Sequence, residues 1–146
     1  MDGLDTKVLL IDDEEAFVSA LEKRLTTRNV KVLTAHTGEQ GLEQLSTEPD
    51  VDVVLLDVKM PGMDGIATLR EIKKSHPIVE VIMLTGHATV ESAIDGMRLG
   101  AHDYLMKPCD VEELMAKIKD AKLKKQAHQE RILDAAGKEL LHRRGL

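Results

Sequence analysis

The stretch VLLIDDEEAF, residues 8–17, runs four apolar residues directly into four acidic ones. An apolar run that does not alternate with polar residues is typical of a strand in a parallel sheet whose two faces are both covered by helices. Two similar runs occur at 53–56 and 81–84, and weaker candidates lie around 30–33 and 104–106. The sequence therefore predicts five strands, three of them fully buried.

Between these runs, apolar residues recur at helical spacing in five segments. The segments contain Phe17, Leu21 and Leu25; Leu42 and Leu45; Ile66, Leu69 and Ile72; Val90, Ala93, Ile94 and Met97; and Val111, Leu114, Ile118 and Ala121. Thr37-x-x-Gln40 and Asp110-x-x-Glu113 have the arrangement of capping boxes or their close relatives. Five alternating strands and helices predict an α/β fold, most simply a flavodoxin-like (βα)5 doubly wound parallel sheet with strand order 2-1-3-4-5.

Length and composition limit the class of protein. A chain of 146 residues with 42% hydrophobic content is one ordinary domain with its own core. No apolar run approaches the ~20 residues of a membrane span, and the first residues lack the layout of a signal peptide, so we expect a cytoplasmic protein without membrane contact. The single cysteine, Cys109, excludes an internal disulfide, and the six histidines show no paired zinc-ligand spacing.

Charge is distributed unevenly along the chain. Residues 117–146 carry nine Lys and Arg against four Asp and Glu, a net charge of +5. Because the whole chain has a net charge of −6, residues 1–116 carry −11. An acidic body without tryptophan argues against nucleic-acid binding by the domain itself, while the basic tail leaves that open for the tail alone. We expect a domain over 5–121 and a basic, helical extension or linker start over 122–146, interrupted at Gly137.

Polar residues follow the apolar runs at the predicted carboxyl ends of four strands: Asp12 and Asp13, Asp57, Thr85, and Lys107. In an open α/β sheet these ends share one edge, and ligands bind there at the switch point in strand order. Two carboxylates ~4 Å apart repel by ~4 kcal/mol at an effective dielectric of ~20. Three carboxylates and one lysine leave a charge of −2, which one Mg²⁺ neutralises. Asp57 follows the central strand and is the best candidate nucleophile for a phosphoryl group.

These motifs resemble the receiver domains of two-component response regulators. The resemblance covers about residues 5–121 and rests on four blocks in order: DD at 12–13, LLDVKMPGMDG at 55–65, MLTGHA at 83–88 and DYLMKP at 103–108. It implies that Asp57 accepts a phosphoryl group from the phosphohistidine of a histidine kinase or a histidine phosphotransfer protein. It also implies a domain that phosphorylates and dephosphorylates itself on Asp57 and is not a turnover enzyme.

The resemblance further implies a role for each matching residue. Asp13, Asp57 and the backbone carbonyl of Lys59 would bind Mg²⁺ directly, and Asp12 would act mainly through water. Lys107 would pair with the phosphoryl group. Thr85 would hydrogen-bond to it and Tyr104 would rotate inward, changing the surface of helix 4, strand 5 and helix 5, where a homodimer or an effector would form. Lys59 and His87, two residues after Asp57 and Thr85, would tune the lifetime of the phosphorylated state.

Other interpretations of the same residues are weaker but stay open. A haloacid dehalogenase phosphatase would need D-x-D after strand 1, a flavodoxin would need a neutral hydroxyl-rich loop there, and no P-loop motif is present. A receiver-like interaction module that signals without phosphorylation is the main alternative. Individually, the acids from Asp12 to Glu15 could belong only to a helix start, and Lys107 could be a solvated loop lysine. Pro108 could follow either a cis or a trans bond. The chain is either a stand-alone receiver or part of a longer regulator.

Overall fold

The computed structural model describes residues 5–58, 64–86 and 90–143, with the backbone alone at Val90 and at 140–143. The element order is β1 (Lys7–Ile11), α1 (Glu15–Thr26), β2 (Lys31–Ala35), α2 (Gly38–Thr47), β3 (Val53–Leu56), α3 (Gly65–Ser75), β4 (Glu80–Thr85), α4 (Val90–Arg98), β5 (Asp103–Met106) and α5 (Val111–Arg143). The strands form one parallel sheet in the order β2-β1-β3-β4-β5, so the predicted fold is confirmed.

The core lies on both faces of β1, β3 and β4, as their apolar runs predict. Successive side chains of a strand point to opposite faces, so each run divides between two cores. Val8, Leu10 and Leu55 pack on the side of α1 and α5, and Leu9 and Leu56 pack on the side of α2 and α3. Burial of each such side chain contributes about 1.5–3 kcal/mol relative to leaving it in water. The doubly covered sheet holds the carboxyl ends of its strands in fixed positions.

Local signals at the helix starts act largely as the sequence indicates. Thr37 Oγ1 accepts a hydrogen bond from the backbone N–H of Gln40 at 3.1 Å, and Asp64 Oδ1 accepts one from Ala67 at 2.8 Å. The side chain of Gln40 accepts from the N–H of His36, one residue before the cap, so the Thr37 motif is a relative of the capping box. Asp110 caps α5 through the N–H of Glu112. These caps satisfy N–H groups that would otherwise lack partners.

Helix α4 packs differently from the expectation for an amphipathic helix. Ala93 and Gly96 are its buried positions, and a Cβ on Gly96 would overlap the Met83 side chain. Because these small residues face the sheet, Ile94 and Met97 are displaced to the outside, where they are 45% and 44% exposed. Part of the apolar stripe that the sequence places on α4 therefore faces solvent.

Helix α5 continues without a break from Val111 to Arg143, so the expected interruption at Gly137 is wrong. A glycine inside a helix costs about 1 kcal/mol relative to alanine, which the neighbouring helix-forming residues offset. The whole of 130–139 is exposed, so this last stretch of helix leaves the domain surface. Among the described parts of the chain, we find no helix with the length and apolar character that a bilayer crossing requires.

Candidate functional site

The sheet continues for one residue beyond three of its strands and so fixes the backbone of the candidate site. The N–H of Asp12 donates to the carbonyl of Ala35, and the N–H of Asp57 donates to the carbonyl of Ile11, both at 3.0 Å. The N–H of Lys107 donates to the carbonyl of Thr85, also at 3.0 Å. The parallel register therefore brings these site residues to one edge, as the sequence predicts.

Three carboxylates gather at this edge. One oxygen from each of Asp12, Asp13 and Asp57 lies within 4.8 Å of the others. Asp12 and Asp57 are 1% and 2% exposed, whereas Asp13 faces solvent. A buried pair of carboxylates beside an exposed one is an unfavourable arrangement without a cation, because the charges repel and two of them are removed from water.

Lys107 provides a cation inside the protein. Its Nζ lies 2.6 Å from Asp12 Oδ2, 2.8 Å from Glu14 Oε1 and 3.8 Å from Asp57 Oδ2. The same nitrogen is 4.1 Å from the centre of the Phe17 ring, within the range of a cation–π contact. Burial alone would lower the pKa of Lys107, but Asp12 and Glu14 outweigh it, so its pKa lies above the usual range. The ammonium is held in its charged form beside Asp57.

Asp12 is not fully satisfied by its protein partners. Its Oδ1 accepts a hydrogen bond from the N–H of Glu14 at 2.9 Å. Its Oδ2 is buried and makes no counted hydrogen bond to the described residues, although the Lys107 ammonium lies 2.6 Å away as an ion-pair partner. Burial raises the pKa of Asp12, against the opposing effects of Lys107 and of the Glu14 N–H. An incompletely satisfied buried carboxylate next to two others fits a site for a hard cation with oxygen ligands.

Gly65 allows the chain to pass directly behind Asp57. A Cβ at this position would lie 2.2 Å from the Asp57 carbonyl oxygen and 2.4 Å from Val58 Cα. The N–H of Gly65 donates to the Val58 carbonyl at 2.8 Å. The glycine is thus required by a close backbone approach, and any side chain here would displace the backbone of Asp57. Gly65 was not predicted as a site residue, and its close approach to the backbone of Asp57 becomes apparent only in the fold.

The two predicted switch residues lie on adjacent strands in different environments. Thr85 is fully buried at the end of β4, and Tyr104, on the edge strand β5, is 41% exposed. Lys59 and His87 lie outside the described residues. Glu14 and Phe17 were not predicted as site residues. Glu14 is part of the acidic run after β1, and this run was the one signal that pointed towards it.

Residues 8–119 match the family model described as the response regulator receiver domain. The chain belongs to this family. Receiver domains bind Mg²⁺ through an acidic cluster, and Asp12, Asp13 and Asp57 form such a cluster here. The family is one of signal-transduction domains of two-component systems and is not itself a family of catalytic enzymes.

Known proteins with similar sequences are regulators. The receiver is 39% identical over 107 residues to the DNA-binding transcriptional regulator NtrC of Klebsiella pneumoniae, covering 73% of this chain and 23% of that protein. It is 40% identical over 120 residues to the transcriptional regulatory protein ZraR of Escherichia coli strain K12, covering 82% of this chain and 26% of that protein. The chain spans about a quarter of the length of these curated relatives.

Solved structures show the same fold in isolated receivers. The response regulator receiver domain protein from Clostridium thermocellum superposes with a TM-score of 0.80 at 38% identity, covering 84% of this chain and 98% of that one. The receiver domain of NtrX from Brucella abortus superposes with a TM-score of 0.74 at 31% identity, covering 79% of this chain and 97% of that one. Both matches cover nearly the whole of the similar structure and about four fifths of this chain.

Proposed function

We propose that this receiver accepts a phosphoryl group on Asp57 from the phosphohistidine of a histidine kinase or of a histidine phosphotransfer protein. One observation carries this proposal. The Asp57 carboxylate lies at the end of the central strand, between two other carboxylates and the Lys107 ammonium, where a phosphoryl group on it would meet both a metal and the lysine. A carboxylate oxygen would attack the phosphorus and form a P–O bond. The N–P bond to the histidine would break, and its electrons would stay with the imidazole.

The protein supplies alignment and charge to this reaction. Phosphoryl transfer needs little covalent help beyond positioning and neutralisation of the phosphoryl oxygens. Lys107 Nζ is only 3.8 Å from Asp57 Oδ2, so a small movement of the lysine would bring it to a phosphoryl oxygen. Thr85, at the end of the neighbouring strand, would donate its hydroxyl hydrogen to another one. The same groups would support hydrolysis of the acyl phosphate, so the domain would also dephosphorylate itself.

Mg²⁺ is the metal that the residues fit. The described donors are carboxylate oxygens, and the buried Asp12 Oδ2 makes no counted hydrogen bond to the described residues. We assign Asp13, Asp57 and the backbone carbonyl of Lys59 as direct ligands, and Asp12 as a ligand acting mainly through water. When bound, Mg²⁺ would neutralise charge that develops on the phosphoryl oxygens. Replacing Asp13 by alanine should weaken Mg²⁺ binding more than replacing Asp12, because a direct ligand loses more on removal.

The proposed output is a change in the surface formed by α4, β5 and α5. Four apolar side chains on this surface, Ile94, Met97, Tyr104 and Met106, are between 41% and 45% exposed. A phosphoryl group that draws in Thr85 would favour an inward position of Tyr104 and so shift the balance between two states of the surface. We assign this surface to the formation of a homodimer or to the binding of an effector. Beryllofluoride with Mg²⁺ should therefore change the tyrosine emission, which reports Tyr104 alone, and slow amide exchange over 85–107.

The remaining parts of the proposal concern the setting of the domain. We place it in the cytoplasm, where its phosphodonor would be found, without direct contact between the receiver and nucleic acid. The alternative is an interaction module of receiver type that signals without phosphorylation. Such a module would need the fold and the surface of α4 and β5, but it would not need the carboxylate cluster.

The test is phosphorylation of the whole chain by acetyl phosphate in the presence of Mg²⁺, followed by intact-mass measurement. The wild-type chain should gain one phosphoryl unit, and the Asp57→Asn variant should gain none. Asp50→Asn, at an exposed aspartate of the opposite sheet edge, is the matched control and should be phosphorylated like the wild type. If the wild-type chain is folded and binds Mg²⁺ but gains no phosphoryl unit, the interaction module is favoured instead.

A further inference from the structure

The extension of α5 beyond Ala121 is fastened to the sheet by three lysines. Lys125 is 5% exposed, and its Nζ donates to the Val51 carbonyl at 3.2 Å and to Asp52 Oδ1 at 3.1 Å. Lys122 donates to the Asp5 carbonyl at 2.8 Å and to Thr6 Oγ1 at 3.3 Å.

Two buried carboxylates at the start of central strands receive these lysines. Asp52 immediately precedes β3, and its Oδ2 lies 3.7 Å from Lys122 Nζ. Glu80 opens β4, is 2% exposed, and has its Oε1 at 3.7 Å from Lys124 Nζ and 4.0 Å from Lys73 Nζ. The amino-terminal ends of β1, β3 and β4 are therefore all in contact with one short stretch of helix.

These buried charges pair the extension with the sheet at defined positions. A buried lysine or carboxylate is tolerated when it is paired, and removing one partner leaves the other buried without compensation. If the extension moved away, Asp52 would keep the backbone N–H of Lys7 at 2.9 Å. Among the described residues, Glu80 Oε1 has no hydrogen-bond donor and would keep the Lys73 ammonium, at 4.0 Å, as its one ion-pair partner. Separation of the helix from the sheet therefore removes a charged partner from Asp52, Glu80 and Lys125 alike.

Burial shows where the attachment ends. Ala127, His128 and Gln129 are half-buried, whereas every residue of 130–139 is exposed. The three lysines also account for most of the basic character of this region, since 122–146 carries a net charge of +4 and 126–146 only +1. Much of the charge that makes the tail basic in sequence is thus paired with carboxylates of the sheet.

We propose that Lys122, Lys124 and Lys125 form a latch with Asp52 and Glu80 that makes residues 122–129 part of the folded receiver. The domain then ends near Gln129 instead of at Ala121, and the helix beyond it leaves the amino-terminal edge of the sheet in a fixed direction. The latch contacts the amino-terminal ends of β1, β3 and β4, the three strands whose carboxyl ends lead to Asp12, Asp57 and Thr85. The latch does not depend on phosphorylation, so its test is independent of the test of the proposed function.

Hydrogen exchange of the full 146-residue chain, followed by mass spectrometry, tests the latch. In the wild type, amides of 126–129 should exchange about tenfold more slowly than amides of 132–139, because the latch holds the first group against the sheet. Lys125→Met should accelerate exchange of 126–129 about tenfold. Lys119→Met, which replaces an exposed lysine on the same helix, is the matched control and should leave these amides within about twofold of wild type.

Two further variants make the test specific. The Asp52→Asn/Lys125→Met double variant should exchange at 126–129 within about twofold of Lys125→Met, because both changes remove the Lys125–Asp52 pair and the further contact of Asp52 with Lys122 is longer, at 3.7 Å. If Lys125→Met does not fold, Lys124→Met, at a half-exposed position, should still accelerate the same amides about threefold. Equal wild-type exchange in 126–129 and 132–139, or unchanged exchange in a folded Lys125→Met or Lys124→Met chain, would overturn the proposal.

Discussion

Replacement of Asp13 by asparagine should stabilise the receiver in the absence of metal. Oxygens of Asp12, Asp13 and Asp57 lie within 4.8 Å of one another, so each pair repels by about 1 kcal/mol at the dielectric constant of water and about 3.5 kcal/mol at an effective value of 20. Asp13 is exposed, which favours the lower figure. Its two repulsions give an expected gain in the free energy of unfolding of about 1–2 kcal/mol. Little attraction is lost, because the close carboxylate contacts of Lys107 are with Asp12, Glu14 and Asp57.

Mg²⁺ should cancel most or all of this stability difference between the two proteins. A metal that binds the native state alone adds about 1.4 kcal/mol to its stability at ten times the dissociation constant. The wild type should gain this amount, while Asp13→Asn should gain much less because it lacks a direct ligand. The assay is equilibrium unfolding in urea, followed by circular dichroism, in EDTA and in Mg²⁺. Glu15→Gln, an exposed acid in the first turn of α1, is the control and should change stability by less than about 0.5 kcal/mol in both buffers.

Two results would refute this reasoning. A metal-free Asp13→Asn variant less stable than the wild type would mean that the three carboxylates do not repel one another as their positions require. Equal stabilisation of Asp13→Asn and wild type by Mg²⁺ would mean that Asp13 is not a ligand.

The structure supports three more predictions. Glu14→Gln should increase the affinity for beryllofluoride by about two- to fivefold, because an exposed ion pair worth up to about 1 kcal/mol no longer competes for Lys107. The control Glu15→Gln should leave the affinity unchanged. Equal effects of both variants would point to a general charge effect and contradict the prediction. Gly65→Ala should destabilise the domain by about 1–3 kcal/mol and impair phosphorylation, since its Cβ would enter the Asp57 backbone, and an unaffected variant would contradict the close approach. Burial alone would raise the pKa of Asp103, but Lys117 at 2.6 Å outweighs burial and lowers the pKa. This carboxylate therefore contributes stability at pH values above its ordinary pKa of 3.8, and the contribution is lost as the pH falls through the lowered pKa. Wild type should therefore exceed Asp103→Asn by less than about 1 kcal/mol at pH 7, with the difference shrinking towards pH 3 in urea titrations; a constant difference would remove the assignment.

The sheet could be predicted from the sequence because its signals are local. Four consecutive apolar residues at 53–56 form β3 with the predicted bounds, and β4 extends the 81–84 run by one residue at each end. The residues after these runs reach the same edge because parallel strands with right-handed crossovers allow no other arrangement. The cluster of Asp12, Asp13 and Asp57 follows directly from that geometry.

Other features depend on contacts between residues distant in sequence. The pairing of Lys107 with Glu14 joins β5 to the start of α1, and no periodicity indicates it. The exposure of Ile94 and Met97 follows from which face of α4 meets Met83, and Gly96 decides this by its size. Lysines 122, 124 and 125 look like a solvated basic tail until the helix is placed against the sheet. In each case the deciding partner lies in another element.

The central claim is that Asp57 itself carries the phosphoryl group. An acyl phosphate is reduced by borohydride to an alcohol, which converts the phosphorylated aspartate to homoserine. The whole chain should therefore be treated with acetyl phosphate and Mg²⁺, reduced, digested and mapped by tandem mass spectrometry. The account predicts homoserine at position 57, with Mg²⁺ required for its formation. Homoserine at Asp12, Asp13 or any other aspartate, with Asp57 unmodified, would contradict it.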